Sequence, residues 1–131
     1  MTRLLADARV GHLATTRPDG KPHLVPVCFV LDGGVMYFAV DAKPKRTADL
    51  RRLRNIAANP SVSVLVDHYE EDWARLWWVR VDGRARTVDD AIESERALNL
   101  LGDRYPQYLR ARPPGPVVAI TIERMSGWAG S

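Results

Sequence analysis

The sequence predicts a mainly β fold, in which a small antiparallel barrel has helices on its periphery. Six segments show the alternating or β-branched pattern of strands, and tight turns join most of them. Two intervening segments show helical spacing, which favours a barrel with helices over a parallel α/β sheet. A chain of 131 residues with 46% hydrophobic content can bury one good core but is too short for two comfortable domains. We therefore expect a single domain over residues 1–131.

The first half of the chain is predicted to form a three-stranded antiparallel meander. Its strands are expected at residues 9–16, 21–31 and 35–40, after a short lead-in helix at 2–8. Asp19-Gly20 gives the positive φ that a tight turn between the first two strands requires. Pro22 and Pro26 remove hydrogen-bond donors from the second strand, which indicates a bulge or a position near a sheet edge.

The second half alternates helical and strand patterns. Strands are expected at residues 61–67, 73–86 and 117–122, with a clear helix at 91–101. Gly83 permits a kink or bulge in the longest strand. The helix is expected to pack through a face that contains Ile92 and Leu101. Residues 105–108 are predicted to be an irregular connection, and Trp128 is expected in a polar tail.

The most distinctive stretch runs from Asp41 to Pro60 and is predicted to be a short, very basic helix that Asn59-Pro60 ends. Its cations are Lys43, Lys45, Arg46, Arg51, Arg52 and Arg54. The spacing of its apolar residues Leu50, Leu53, Ile56 and Ala57 places them on one face against a core. Guanidinium groups beside the free N–H groups at a helix start favour a phosphate or carboxylate ligand. A solvated surface helix is an equally good interpretation of the charge alone.

Composition and spacing exclude several other classes of function. The formal charge of +3 is mild, and residues 41–60 contain no aromatic residue to stack on a base, so we expect no nucleic-acid partner. The three histidines lie on separate segments without metal-ligand spacing, so we expect no metal site. No nucleophile elbow, phosphate-binding P-loop or dinucleotide glycine fingerprint is present, and no catalytic side chain can be named.

The cellular setting is also predicted from the sequence. Cys28 is the only cysteine, which excludes an intrachain disulfide and fits a reducing compartment. No apolar stretch approaches the length of a signal sequence core or a membrane span. We therefore expect a cytoplasmic protein with no membrane partner.

The order of several segments resembles a known family. ATTRPDGKPHLVPVCFVLDGG, VMYFAVD, a basic segment ending in NPSVSVLVD, and WWVRVDGRA follow one another as in the split β-barrel flavin-binding family related to pyridoxamine-phosphate oxidase. LRRLRNI, DHYEEDW and RLWWVRVDGRA are most similar to the branch of probable coenzyme F420-dependent oxidoreductases. This resemblance implies a six-stranded antiparallel split β-barrel and a homodimer, with a flavin or deazaflavin in a groove between the subunits.

The resemblance also implies which residues contact the cofactor. Counting back from Asn59-Pro60 assigns the phosphate to Arg51 and Arg52, although Lys43, Lys45 and Arg46 could equally hold it from the helix start. If the helix runs from Thr47, helical spacing places Arg51 and Arg54 on one face with Asn55 beside them. The ring is expected against the second and third strands. Tryptophans could cover one of its faces, and a role for each in the core or in a dimer interface is an equally good interpretation. The residues implied for the ring are Pro26, Val27, Cys28, Phe38, Ala39, Val40, Trp77, Trp78 and Trp128.

The implied reaction is hydride transfer between coenzyme F420 and a small unsaturated organic substrate. In such an enzyme the cofactor supplies the hydride, while the protein supplies binding, orientation and exclusion of water. The alternatives are an FMN-binding oxidoreductase of the same fold and a non-catalytic protein that stores or carries the cofactor. Because the chain has more cations than one phosphate can occupy, we expect it to prefer F420, whose tail beyond the phosphate bears several carboxylates.

Overall fold

A computed structural model describes residues 1–40 and 46–130, with the backbone alone described for 46–50. The helices are α1 (Thr2–Asp7), α2 (Arg46–Ala58), α3 (Ala91–Arg104) and α4 (Pro106–Arg110). The strands are β1 (Gly11–Thr16), β2 (Pro22–Val27), β3 (Val30–Asp32), β4 (Val35–Ala39), β5 (Ser61–His68), β6 (Trp77–Thr87) and β7 (Val117–Ala129). All seven strands belong to one antiparallel sheet, so the prediction of a mainly β barrel with peripheral helices is confirmed.

The strand order closes the sheet on itself. The order is β2-β1-β5-β6-β7-β4-β3, so the two edge strands are consecutive in the chain. Three Cα steps separate Val27 at the end of β2 from Val30 at the start of β3, and such a link spans at most about 11 Å. The two edges must therefore approach each other, which gives a barrel that is split between β2 and β3.

The number of strands and the meander were predicted incorrectly. Residues 21–31 form two strands on opposite edges of the sheet instead of one, and β4 pairs with β3 and β7 but not with β2. The break falls at Phe29, which is fully buried. There the hydroxyl of buried Tyr105 accepts a hydrogen bond from the Phe29 N–H at 3.0 Å and lies 2.9 Å from the Phe29 carbonyl oxygen. The tyrosine thus satisfies the backbone groups that a continuous ladder would otherwise pair.

The core lies on the inner face of the curled sheet. Leu13, Val64, Val66, Val79 and Val81 are fully buried there. A second cluster, which includes Ala97 and Leu101 of α3, packs against the outer side of β4 and β7. On the other side of the sheet, Leu24 of β2 and Leu65 of β5 remain exposed.

Helix α2 packs against β1 and β6 and inserts Ile56 into the core, where it is 2% exposed. Leu53 also packs against the core, as expected from the helical spacing. Ala57 is exposed, so its predicted packing role was wrong. Leu50, the remaining residue of that predicted face, lies outside the described side chains.

The predicted bulge at Gly83 is confirmed by a register shift between Asp82 and Gly83 in the β6–β7 pair. A Cβ atom at Gly83 would lie 2.3 Å from the backbone oxygen of Thr121. The close approach of the two backbones therefore requires glycine at this position.

Three boundaries differ from the predictions. β6 begins at Trp77, because Asp72 accepts the Ala74 N–H at 3.2 Å and caps a 3₁₀ turn before the strand. β7 continues through the predicted polar tail, since the long β6 offers a pairing partner as far as Trp77. Residues 106–110 form the short helix α4, which Pro106 begins at the position where its missing N–H has no cost.

Helix α3 is longer than predicted, and its predicted packing face is confirmed at Leu101 but wrong at Ile92. Ile92, expected in the packing face, is 80% exposed. Glu93 points inward instead, where it accepts a 2.7 Å hydrogen bond from the Tyr37 hydroxyl and two from Arg86. These polar contacts fix the first turn of the helix on β4 and β6.

Candidate functional site

The strongest candidate site is a cleft of about 350 Å³ between the β1–β2 turn and helix α2. We call it the basic cleft. It is lined by Arg17, Pro18 and Asp19 from the turn and by Arg51, Arg54 and Asn55 from the helix. The lining residues come from two segments more than thirty positions apart in the chain.

A buried hydrogen bond holds the two walls of the basic cleft together. Asn55 is 1% exposed, and its side-chain amide donates to the Thr15 hydroxyl at 3.0 Å. Arg51 lies one helical turn before Asn55, so this bond also fixes where the arginine leaves the helix. On the other wall, Gly20 has a φ of 86°, which permits the tight turn that presents Arg17 and Asp19.

The basic cleft has an excess of positive charge. Arg17 and Asp19 form an ion pair at 3.0 Å. Neither Arg51 nor Arg54 forms an ion pair with any other residue of the described part of the chain. Among the described residues that line the cleft, three guanidinium groups therefore meet one carboxylate. This arrangement suits an anionic ligand, because arginine gives planar, bidentate recognition of phosphate or carboxylate oxygens.

Arg52 takes a different direction from Arg51 and Arg54. Its guanidinium carbon lies 5.7 Å from the centre of the Phe38 ring, in a cation–π contact. Phe38 itself is 1% exposed in the core. Arg52 thus brings the positive charge of α2 to the end of β4, where residues implied for ring binding begin.

His23 also faces α2, although the sequence analysis did not single it out as a site residue. It lies opposite Thr15 in the β1–β2 pair, and directly opposed residues point to the same face of a sheet. Burial lowers the pKa of its imidazole, and the positive charges of Arg51, Arg52 and Arg17 lower this pKa further. His23 and Arg17 therefore belong to the same electrostatic cluster as the helix arginines.

Of His23 and Arg17, which were not predicted as site residues, only His23 has a signal in the sequence. Alternation along β2 places residues 23, 25 and 27 on the inner face, so His23 could have been assigned to the core side. Arg17 had no such signal, because its role depends on the β1–β2 turn meeting α2 in three dimensions.

The residues implied for the ring are divided between the two faces of the sheet. Val27, Phe38, Ala39 and Val40 are buried, so their side chains are committed to packing. Pro26 is exposed on the outer face of β2, opposite His12. Whether these residues contact a cofactor stays a prediction, as it does for the helix residues.

The outer face has a second cleft of about 500 Å³, which we call the sheet cleft. Its lining residues are His12, Ala14, Leu24, Ser63, Leu65, Asp67, Trp78 and Arg80. Two of its apolar residues are conspicuously exposed, with Leu24 at 66% and Leu65 at 39%. Apolar side chains grouped on an uncovered sheet face are typical of a binding or association surface.

Trp77 is not near the basic cleft within one chain. It lies opposite His68 at the far end of β5, seven residue steps from Ser61, the first residue of the strand that follows α2. At about 3.3 Å per step this separation is about 23 Å. Trp77 packs against the core on one side and its ring stacks on His68 with 6.3 Å between centres.

The remaining predicted cations lie outside what the structure describes. Lys45 and Lys43 are among residues 41–45, and the side chain of Arg46 is likewise not described. Among the described residues, no group of three His, Cys, Asp or Glu side chains is placed to hold a metal ion. No helix in this part of the chain has the length and apolarity needed to cross a membrane.

Comparison with known proteins assigns the family. Residues 1–129 match the model of the pyridoxamine 5'-phosphate oxidase family, so the chain belongs to that family. A search of curated proteins gives no match.

Solved structures with the same fold have different ligands in their names. An F420 reductase is 29% identical with a TM-score of 0.68, covering 95% of this chain and 94% of that one. A FAD-binding protein from Mesorhizobium loti is 27% identical with a TM-score of 0.71, covering 96% and 89%. HutZ, the heme storage protein of Vibrio cholerae, is 15% identical with a TM-score of 0.73, covering 98% and 90%, and shows the fold alone.

Proposed function

We propose that this member of the pyridoxamine 5'-phosphate oxidase family binds coenzyme F420 and transfers a hydride between it and a small unsaturated organic substrate. The proposal rests on the basic cleft, where the described lining residues include Arg17, Arg51 and Arg54 but a single carboxylate. It is supported by the similarity to an F420 reductase at 29% identity over 95% of this chain. The substrate itself is left open, because one cofactor site in this fold can serve many acceptors.

The basic cleft fits the phosphate group of such a cofactor. Arg51 and Arg54 are available for charge-assisted hydrogen bonds, which are shorter and stronger than neutral ones. Asn55 keeps its amide on Thr15, so we assign it the role of positioning the helix and not of donating to the ligand. Lys45 and Arg46, the earlier candidates from the helix start, remain proposed contributors to the same group of cations.

The ring would be recognised by backbone groups more than by side chains. β2 is an edge strand of the sheet formed by the described residues, so its outer edge keeps backbone donors and acceptors for a ligand. Pro26 is exposed beside this edge, while Val27 and Phe38 support it from the core. When bound, the deazaflavin supplies the hydride, and the residues of this chain bind it, orient it and exclude water.

Cofactor titration tests the proposal directly. F420 and FMN are each titrated into the purified protein at two salt concentrations while tryptophan fluorescence is followed. We expect tighter binding of F420, whose tail carboxylates engage cations beyond those that hold the phosphate. This preference should shrink with salt, because the Debye length falls from about 10 Å at 0.1 M to about 3 Å at 1 M.

Arginine variants locate the phosphate. Arg51→Ala or Arg54→Ala should weaken F420 binding by about 1.5–3 kcal/mol, which is about 10- to 150-fold, if the residue makes a charge-assisted contact. Arg110→Ala is the matched control, because Arg110 is an exposed arginine on α4, an element that contributes no residue to the basic cleft. Unchanged affinity in both cleft variants would show that the charge belongs to a solvated helix face.

Two other functions are separated by the same titration. FMN retained through purification without F420 binding would establish the FMN-binding oxidoreductase of the same fold. Tight F420 binding without turnover of any acceptor would indicate a carrier protein. A storage role has a precedent in fold alone, since the heme storage protein of Vibrio cholerae shares this architecture.

We further propose that the protein acts as a cytoplasmic homodimer that associates through the outer sheet face. Exposed Leu24 and Leu65 on that face would be covered by the second copy. Light scattering should then give a mass near twice 14.7 kDa. Leu65→Arg should shift this mass toward the monomer, whereas Ile92→Arg, at another exposed apolar position on α3, should not. A stable monomer in the unmodified protein would exclude the dimer.

A further inference from the structure

Two residues of the β1–β2 hairpin, Arg17 and His23, lie beside the cations of α2. Arg17 lines the basic cleft opposite Arg51 and Arg54. His23 stands on the next strand, and its Nδ1 atom is inaccessible to solvent without a hydrogen-bond partner among the described residues. A buried imidazole nitrogen without a partner is uncommon in a folded protein and calls for an explanation.

Three positive charges surround this imidazole. Arg17 approaches from the β1–β2 turn, and Arg51 and Arg52 approach from α2. The hydrogen bond between Asn55 and Thr15 fixes the geometry, because Thr15 is the cross-strand neighbour of His23 and Asn55 lies on the same helix as both arginines. Asp19 is the carboxylate at the rim and is paired with Arg17 at 3.0 Å.

We propose that a phosphate or sulfate group bound in the basic cleft adds a proton to His23, which lies on β2 beside the cleft. The inference rests on the proposed function, because it takes the phosphate of the cofactor as the natural occupant. It adds to that function a histidine of the hairpin and a proton that accompanies the ligand.

The positive charges near His23 link its protonation to anion binding in the basic cleft. In the free protein, protonation would place a fourth positive charge beside three guanidinium groups, so the imidazole stays neutral at pH 7. A dianion in the cleft offsets those charges and favours the imidazolium, since an opposite charge within about 4–6 Å stabilises the charged form. Binding and protonation must then reinforce each other equally, as any two linked equilibria do.

Histidine NMR with sulfate as the probe tests the inference. Sulfate keeps its charge between pH 5 and 9, so any pH dependence belongs to the protein. We expect the His23 imidazole to titrate below the ordinary histidine value in the free protein. On adding sulfate, its midpoint should rise by about one pH unit. Sodium chloride at the same ionic strength is the control, and an equal rise in chloride would overturn the inference by showing general screening.

Sulfate affinity in variants of His23 and Asp19 gives a second test. Sulfate affinity in the wild type should increase about three- to sixfold from pH 8 to pH 6 for a one-unit rise in the midpoint, while His23→Gln should bind equally at both pH values. Asp19→Asn should bind sulfate about three- to tenfold more tightly at low salt, because it removes the carboxylate at the rim and frees Arg17. The asparagine can still accept the Lys21 N–H that Asp19 accepts at 3.1 Å, so the turn is preserved. No gain in Asp19→Asn, or an unchanged pH dependence in His23→Gln, would refute the assignment of these residues.

A cofactor arm separates this inference from the proposed function. If F420 or FMN binds without moving the His23 titration, the link between anion binding and His23 protonation is refuted and the proposed function is left intact. A His23 response to sulfate in a protein that binds neither cofactor would support the anion site and refute the cofactor assignment.

Discussion

Tyr105→Phe removes a single hydroxyl at the point where the barrel is split, and its cost can be worked out from the structure. The hydroxyl accepts the Phe29 N–H at 3.0 Å and lies 2.9 Å and 3.0 Å from the carbonyl oxygens of Phe29 and Arg9. Phenylalanine keeps the ring and its packing, so the change isolates the polar contacts. Phe29 is fully buried, and its N–H would lose its partner in a place that water does not reach.

The expected loss of stability is about 2–3 kcal/mol. A buried donor left without a partner costs about 1–3 kcal/mol, and the loss of the donated hydrogen bond adds to this. With a urea dependence of about 1.5 kcal/mol per molar, the unfolding midpoint should fall by about 1.3–2 M without a change in slope. The measurement is made at one fixed protein concentration, because association would make the apparent stability concentration-dependent.

Tyr69→Phe provides the matched control. Tyr69 is 64% exposed, and its hydroxyl contact is a long one of 3.4 Å from the Trp73 indole N–H. Its removal should change the stability by less than about 0.5 kcal/mol, as expected for a surface position. A Tyr105→Phe protein as stable as this control would refute the view that the hydroxyl maintains the break between β2 and β3.

Two further predictions concern the sheet and its helix. Gly83→Ala places a Cβ atom 2.3 Å from the Thr121 backbone oxygen and should cost more than about 3 kcal/mol or prevent folding, whereas Gly34→Ala, with no atom within 4 Å, should be nearly neutral by thermal unfolding. A hydrogen bond from Arg86, and to a smaller extent one from Tyr37, lowers the pKa of Glu93 below its usual 4.5. The stabilisation that ionised Glu93 provides is therefore complete above pH 4.5 and is lost as the pH falls through the pKa of the folded state. Glu93→Gln should therefore destabilise the protein at pH 7, and the difference from wild type should disappear in unfolding curves measured at progressively lower pH; a constant difference would contradict this.

The features that could be predicted from sequence are those that depend on neighbouring residues. Asp19-Gly20 forms a turn because glycine there adopts a φ of 86°, whatever the rest of the chain does. The bulge at Gly83 follows from a glycine inside a long strand. Leu53 and Ile56 reach the core because helical spacing puts them on one side. Local rules therefore predict most of the strands and the main helices.

The features that could not be predicted depend on residues far apart in the chain. The break at Phe29 is set by Tyr105, which is 76 positions away, and nothing in the apolar run 27–31 indicates it. Arg17 belongs to the basic cleft because the β1–β2 turn meets α2, a contact that strand and helix patterns do not encode. His23 has a pattern that places it inward, but its charged neighbours come from another element.

The topology also separates the basic cleft from the sheet cleft. The basic cleft is built at one end of the barrel, where the buried Asn55–Thr15 bond joins α2 to β1, so its geometry is set by the core. The sheet cleft lies on the outer face, where Leu24 and Leu65 can change without disturbing the inner valines. A fixed cleft suits the constant phosphate of a cofactor, and an adjustable face suits the acceptor or the second copy. Trp77 is about 23 Å along β5 from the strand's α2 end, so within one chain it is remote from the basic cleft. The proposed ring edge is nearer, because Pro26 is level with Arg80 across the sheet and Arg80 is three residues from Trp77 on β6. A tryptophan of the same chain is therefore better placed to cover the ring than to contact the phosphate.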